Sequence, residues 1–222
     1  MVYYFGANSK SDLTLWICYN LTMFIIGLTG NIATGKSTVM KVLVELGAEM
    51  IDADLLGHEA QQPGGPAYLK IIDAFGSDIV TSEGSIDRRK LGEIVFNHPD
   101  RLARLEQIVH PFVAERIVER LRQATKPVVV IEAIKLIEAG LSALCSEVWV
   151  VSSPKEVQLA RLRASRGLTR SAALLRINAQ PPQKEKAKVA SVVFKNTGSL
   201  EELRKQVEEE WARVQPPLHS QP

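Results

Sequence analysis

Phe24-Ile25-Ile26-Gly27-Leu28-Thr29-Gly30-Asn31-Ile32-Ala33-Thr34-Gly35-Lys36-Ser37 is the stretch on which the fold turns. Residues 24–28 are a short apolar run, and from Lys36 the apolar residues Val39, Val42, Leu43 and Leu46 recur at helical spacing, so the stretch reads as strand, loop, helix. Between strand and helix, Gly30 to Ser37 satisfies the pattern G-x-x-x-x-G-K-[ST] in the structural context that the pattern requires. Backbone N–H groups turned inward at a helix N-terminus can hold the several negative charges of a triphosphate without a counter-charge at every oxygen. Gly30 and Gly35 allow the close approach, Lys36 reaches the β and γ phosphates, and the Ser37 hydroxyl suits magnesium. ATP and Mg2+ are therefore the expected ligands, with Asn31, Ile32, Ala33 and Thr34 supplying the rest of the loop. A glycine-rich turn that binds nothing would have no need of all four specified residues.

Outward from the loop, Gly47 stops the helix and residues 48–52 read as a second strand with an acidic end. Residues 54–126 are helical in pattern, punctuated by Pro63-Gly64-Gly65-Pro66, Gly76-Ser77, Glu83-Gly84-Ser85, Pro99 and Pro111, and form an insertion between strands. Residues 128–131 and 148–151 are β-branched runs without polar alternation, as parallel strands covered on both faces should be. Pro154 opens a helix to Arg163, and Thr169 opens another with Leu174, Leu175 and Ile177 on its apolar face, stopped by Pro181-Pro182. Residues 189–194 are the last strand, and Ser199 with Glu202 is a capping box for a helix to about Val214, followed by a tail. Five strands alternating with helices give a doubly wound α/β sheet whose ligands bind at the C-terminal ends of the strands.

The 222 residues, 45% hydrophobic and 23% charged, suit one soluble globular domain with inserted parts. A net charge of +2 is too small for a nucleic-acid footprint. Cys18 and Cys145 carry no metal or disulfide spacing and fit reduced thiols in a cytoplasm. The uncharged stretch of residues 13–35 invites a membrane reading, but it lacks the basic start of a signal peptide, and its second half reads as the first strand; an N-terminal anchor stays open as the lesser alternative. Residues 1–22 are then an extension of unknown role before an alternative start at Met23. Neither a membrane nor a nucleic acid is an expected partner, and a monomer or weak homo-oligomer is the expected state.

Asp52 and Asp54 follow the second strand, at the same sheet edge as the phosphate loop. An alcohol acceptor must lose its proton as the phosphoryl group arrives, and a carboxylate within reach can orient the hydroxyl and take that proton. Asp54 is the first choice for this role, with Asp52 behind it; a plain alternative is that Asp54 caps the following helix. Arg161, Arg163, Arg166, Arg170 and Arg176 form a basic cluster suited to a lid over ATP, or to a solvated helix face.

The strings IIGLTGNIATGKSTV, IDAD, DAFG, EGSIDRRKLGEIVF, LEQIVHP, EAGL, QLARLRASRGLT, RINAQ and NTGSLEEL fall in the order found in dephospho-coenzyme A kinases, and the chain resembles that family from about Met23 to Trp211. The resemblance implies a P-loop NTPase fold of three layers, α/β/α, with a five-stranded parallel sheet. The nucleotide core would be residues 23–54, 127–155 and 189–215. A helical acceptor-binding insertion at 55–126 and a lid at 156–188 would complete it. It implies transfer of the ATP γ-phosphate to the ribose 3′-hydroxyl of dephospho-CoA. Carried over by position, Gly30 to Thr38 and Asn196 would meet ATP, and Asp54, Lys36 and Arg161 would act in catalysis. Asp52, His58, Arg88, His110, Glu138 and Arg166 would meet the acceptor. The chain departs from the family pattern at Glu132-Ala133-Ile134-Lys135, where an Asp and Val-Pro-Leu are usual, and at His58, Val109, Ser165 and Ser191. Two rivals stay open. One is an ATP-sensing switch, which would leave Asp54 and the insertion unexplained. The other is a kinase of a different small alcohol or nucleotide.

Overall fold

The structure is a computed structural model that describes residues 23–96 and 98–214. Strand β1 (Phe24–Thr29) lies in the middle of a five-stranded sheet of order β2-β3-β1-β4-β5, with β2 at Glu49–Asp52, β3 at Val128–Glu132, β4 at Glu147–Ser152 and β5 at Val192–Lys195. It runs parallel to β3 and to β4, with Ile26 opposite Val130 and Leu28 opposite Trp149, and β4 runs parallel to β5. β3 is buried throughout, which is why its sequence shows no polar alternation.

On one face, Ile26, Leu28, Val128, Val130, Trp149, Val151 and Phe194 pack with Val39, Val42 and Leu43 of α1 (Lys36–Glu45) and with Leu203, Val207 and Trp211 of α9 (Leu200–Val214). Each such large side chain, fully buried, is worth about 1.5–3 kcal/mol against exposure. The Trp149 and Phe194 rings meet edge to face with centroids 5.4 Å apart. The alternate residues Ile25, Val129, Ile131, Val148 and Val150 are buried as well. α9 starts on the reciprocal capping box that the spacing predicts: Glu202 N donates to Ser199 Oγ and Ser199 N to Glu202 Oε2.

After β4 come α6 (Lys155–Arg166) and α7 (Arg170–Asn178), joined through Gly167, whose φ of 60° turns the chain. They bury Leu159 and Leu162 against Ala173 and Ile177, and Ile32 and Ala33 of the phosphate loop pack onto this small core. Thr169 caps α7 by accepting from Ala172 N. Leu175, expected on the apolar face, is instead 73% exposed, because Ala173 and Ile177 define the buried side. A short helix, α8 (Gln183–Ala187), follows the Pro181-Pro182 stop, with Pro182 at its N-cap. Val189 N still donates to Lys186 O, so the chain is leaving a helical turn there, and the last strand begins three residues later than the apolar pattern implied.

Asp52–Gln123 forms a compact unit of its own, and the chain on either side of it forms the other. The insert holds α2 (Ala53–Ala60), α3 (Tyr68–Phe75), α4 (Arg88–Phe96) and α5 (Pro99–Gln123). Pro111, expected to punctuate, lies inside α5. Proline removes one i→i−4 hydrogen bond at a cost on the order of 3 kcal/mol. Burial of Ile108, Val109, Val113, Ala114 and Ile117 on both sides of it holds the helix through that point. Gly57 of α2 faces Val109 and Val113 of α5 at close range.

Candidate active site

The loop after β1 is held in a conformation that most side chains resist. Gly30 has φ 157°, and a Cβ there would stand 2.4 Å from Val151 O. Gly35 has φ 103°, and a Cβ there would stand 2.0 Å from Asn196 Nδ2. Ala33, with φ 59°, is the one non-glycine at positive φ among the described residues. That strain, on the order of 1–2 kcal/mol, survives only where surrounding contacts enforce it. Thr34 Oγ1 donates to Asn31 O inside the loop, while Thr38 N and Val39 N donate to Gly35 O. The amides of Gly35, Lys36 and Ser37 open the N-terminus of α1 and have no acceptor among the described residues. An anion is what such a helix end takes.

Lys36 Nζ lies 3.4 Å from Glu132 Oε1 at the end of β3, with both side chains about nine-tenths buried. Ser37 is exposed and Thr38 is half-buried. Behind the loop, the Thr34 carbonyl accepts from Asn196 Nδ2 at 2.8 Å, Ser153 Oγ at 3.1 Å and Arg161 Nη1 at 3.2 Å. Arg161 also donates to Ala33 O, Ser153 Oγ and Asn196 Oδ1. Its planar fork therefore grips loop carbonyls and the Asn196 amide together, which a lysine could not do. Arg163, Arg166, Arg170 and Arg176 are exposed on α6 and α7.

Glu138, on the loop after β3, accepts from Lys186 Nζ at 2.9 and 3.0 Å through its two oxygens. In the insert, Asp52 rather than Asp54 caps α2, its Oδ1 accepting from Leu55 N at 2.8 Å. Asp54 is exposed in the first turn of that helix, and His58 lies within 3.3 Å of Gln62 Nε2. Arg88 is the exposed first residue of α4, beside Asp87, whose carboxylate accepts from Lys90 N and Arg89 N and is held below its usual pKa by those bonds. His110 is half-buried on α5 immediately before Pro111.

Sequence reasoning passed over Ser153, Gln180, Gln183 and Lys186, all of which bond to the loop or to the strand ends beside it. Polar residues in a stretch reading QPPQKEKAK carry no outward sign of burial; only Gln180 fell within a quoted string. Burial pushes the Cys145 thiol up to about 12, so it offers no nucleophile near neutral pH. Among the described residues no three His, Cys, Asp or Glu side chains cluster as a metal site, and no helix is long and apolar enough to cross a membrane.

A strained glycine loop closed on a helix N-terminus, at the C-terminal end of the central strand of a parallel sheet, defines the class of P-loop NTPase folds. A family model described as dephospho-CoA kinase matches residues 24–202. The chain belongs to the dephospho-CoA kinase family. A dephospho-CoA kinase of Carboxydothermus hydrogenoformans is 47% identical over 190 residues, covering 84% of this chain and 92% of that protein. Among solved structures, TT1252 from Thermus thermophilus superposes with a TM-score of 0.77 at 36% identity, covering 87% of this chain and 99% of the other. Dephospho-CoA kinase from Campylobacter jejuni does so with a TM-score of 0.62 at 31% identity, covering 86% and 96%.

Proposed function

We propose that this chain transfers the γ-phosphoryl group of ATP to the ribose 3′-hydroxyl of dephospho-CoA, giving CoA and ADP. The observation that carries this reading is the loop 30–37 itself, with amides at Gly35, Lys36 and Ser37 that have no acceptor among the described residues and a back wall fixed on the Thr34 carbonyl, in a chain of this family. Lys36, held beside Glu132, can turn the remaining donors of its ammonium to phosphate oxygens. Asp54 is assigned to orient the acceptor hydroxyl and take its proton. Arg161 and Asn196 are assigned to hold the loop in shape for ATP, since both spend their polar groups on its carbonyls. Asp52, His58, Arg88, His110, Glu138 and Arg166 remain the candidates for contact with dephospho-CoA.

The residues present fit magnesium as a partner of ATP. Magnesium keeps several waters and needs few protein ligands, and the Ser37 hydroxyl and the Glu132 carboxylate, which meets Lys36, are hard oxygen donors of the kind it prefers. When bound, it would neutralise charge on the phosphates. A cytoplasmic setting suits Cys145, a half-buried cysteine in no disulfide, and a monomer or weak homo-oligomer remains the expected state.

Purified protein with Mg-ATP should turn over dephospho-CoA at least about a hundredfold faster, as kcat/KM, than adenosine, AMP or shikimate, because an acceptor site that pairs specific polar groups rejects analogues lacking them. Comparable ADP release with any of the three would overturn the acceptor assignment, and equal release with no acceptor would favour the switch.

A further inference from the structure

The stretch from Gln180 to Lys186 touches the C-terminal ends of three strands. Gln180 Oε1 accepts from Ile32 N at 2.7 Å and Pro181 O from Asn31 Nδ2 at 2.8 Å, which ties down the front of the phosphate loop. Gln183 Oε1 accepts from Ser152 Oγ and Ser153 N while its Nε2 donates to Ser153 O, which pins the end of β4. Lys186 reaches the loop after β3. Its Nζ donates to Ile134 O at 2.7 Å and to both oxygens of Glu138, and its side chain is only 4% exposed.

Burying an ammonium costs several kcal/mol before its partners repay it, and as a pure stability device such a pair roughly breaks even with an apolar one. What the cation adds is direction, because it fixes several acceptors at once. Ile134 O also accepts from Thr29 Oγ1 at 3.1 Å, and Thr29 immediately precedes Gly30. The backbone after β3 is therefore clasped from two sides. Two residues upstream of that carbonyl stands Glu132, whose carboxylate meets the Lys36 ammonium, and Ala133 N, between them, donates to Leu28 O of β1.

We propose that Lys186 is a positioning residue for nucleotide binding: its buried ammonium fixes the loop 133–138, and through it the Glu132 carboxylate that holds Lys36 at the phosphate loop. This rests on the nucleotide-binding part of the kinase reading and goes beyond it. The test is a double-mutant cycle on ATP affinity by titration calorimetry, using the wild type, Lys186→Met, Glu132→Gln and the two together. Lys186→Met should weaken ATP about tenfold in the wild-type background and by less than about threefold when Glu132 is already Gln, because residues acting through one another are not additive. Equal losses in both backgrounds, or a Lys186→Met affinity within about twofold of wild type, would overturn the proposal. Lys186→Met together with Glu138→Met replaces the pair by apolar side chains and guards against simple misfolding. That variant should regain the melting temperature lost by Lys186→Met while ATP binding stays weak; recovery of both would mark Lys186 as structural only. Wild-type protein that binds ATP but phosphorylates no dephospho-CoA would sink the acceptor assignment and leave this cycle intact.

Discussion

Ala33 holds a left-handed backbone that its own Cβ opposes, and the contacts around it show what enforces it. Arg161 takes its carbonyl, and its side chain packs with Leu159, Leu162 and Ile177. Glycine accepts that φ freely, so Ala33→Gly should leave the melting temperature unchanged or slightly raised. Ala33→Val should lower stability by about 1–2 kcal/mol in denaturant titration, since a β-branched residue tolerates positive φ least. Lys36→Ala should abolish phosphoryl transfer and leave the fold intact, because its side chain serves an ion pair rather than the core. Asp54→Asn should keep ATP affinity and cut kcat by about 10²–10⁴-fold if Asp54 takes the acceptor proton. Unchanged turnover would move that role to another carboxylate. The loop itself was legible in the sequence because every specified residue of its pattern is present. Its strain at Ala33 was not, since no spacing rule marks an alanine for positive φ.

At the scale of elements, α9 is tied to β4 by one carboxylate. Glu147 accepts from Arg213 Nη1 and Nη2 through its two oxygens and from Trp149 Nε1 at 2.9 Å. The Arg213 bonds, aided by Trp149, hold the Glu147 pKa below its ordinary 4.5 despite partial burial. A carboxylate with a depressed folded pKa contributes stability that is present above its unfolded pKa and lost as pH falls through the folded one. Glu147→Gln should therefore melt lower than wild type near neutral pH, and the gap should begin to close once the pH falls below the ordinary 4.5 and vanish as it passes through the depressed folded value. A gap that persists in acid would show that packing, not the charge, joins the two elements. Strands and long helices were readable because contiguous apolar runs and a capping box each have one simple cause. Pro111 misled because burial along α5 outweighs one lost hydrogen bond. Leu175 and Val189 misled because apolar residues at helix ends can face solvent, and α8 hid between a proline stop and a polar run. Asp52, not Asp54, took the cap, a choice between two nearby carboxylates that spacing alone could not make.

For the whole molecule, the parallel order around β1 brings the ends of β1, β3 and β4 together, and the Thr34 carbonyl, Glu132 and Ser153 stand at those ends. Sequence order alone placed the loop there; it could not show that residues 180–186, far along the chain, bond to all three ends. The direct check on the kinase reading is product identity. Wild-type protein, Mg-ATP and dephospho-CoA are incubated, and the phosphorylated product is located by phosphorus NMR and mass spectrometry against ADP formed. One phosphate on the ribose 3′-oxygen for each ADP released is the expected result; ADP without that product, or phosphate at another position, would contradict it.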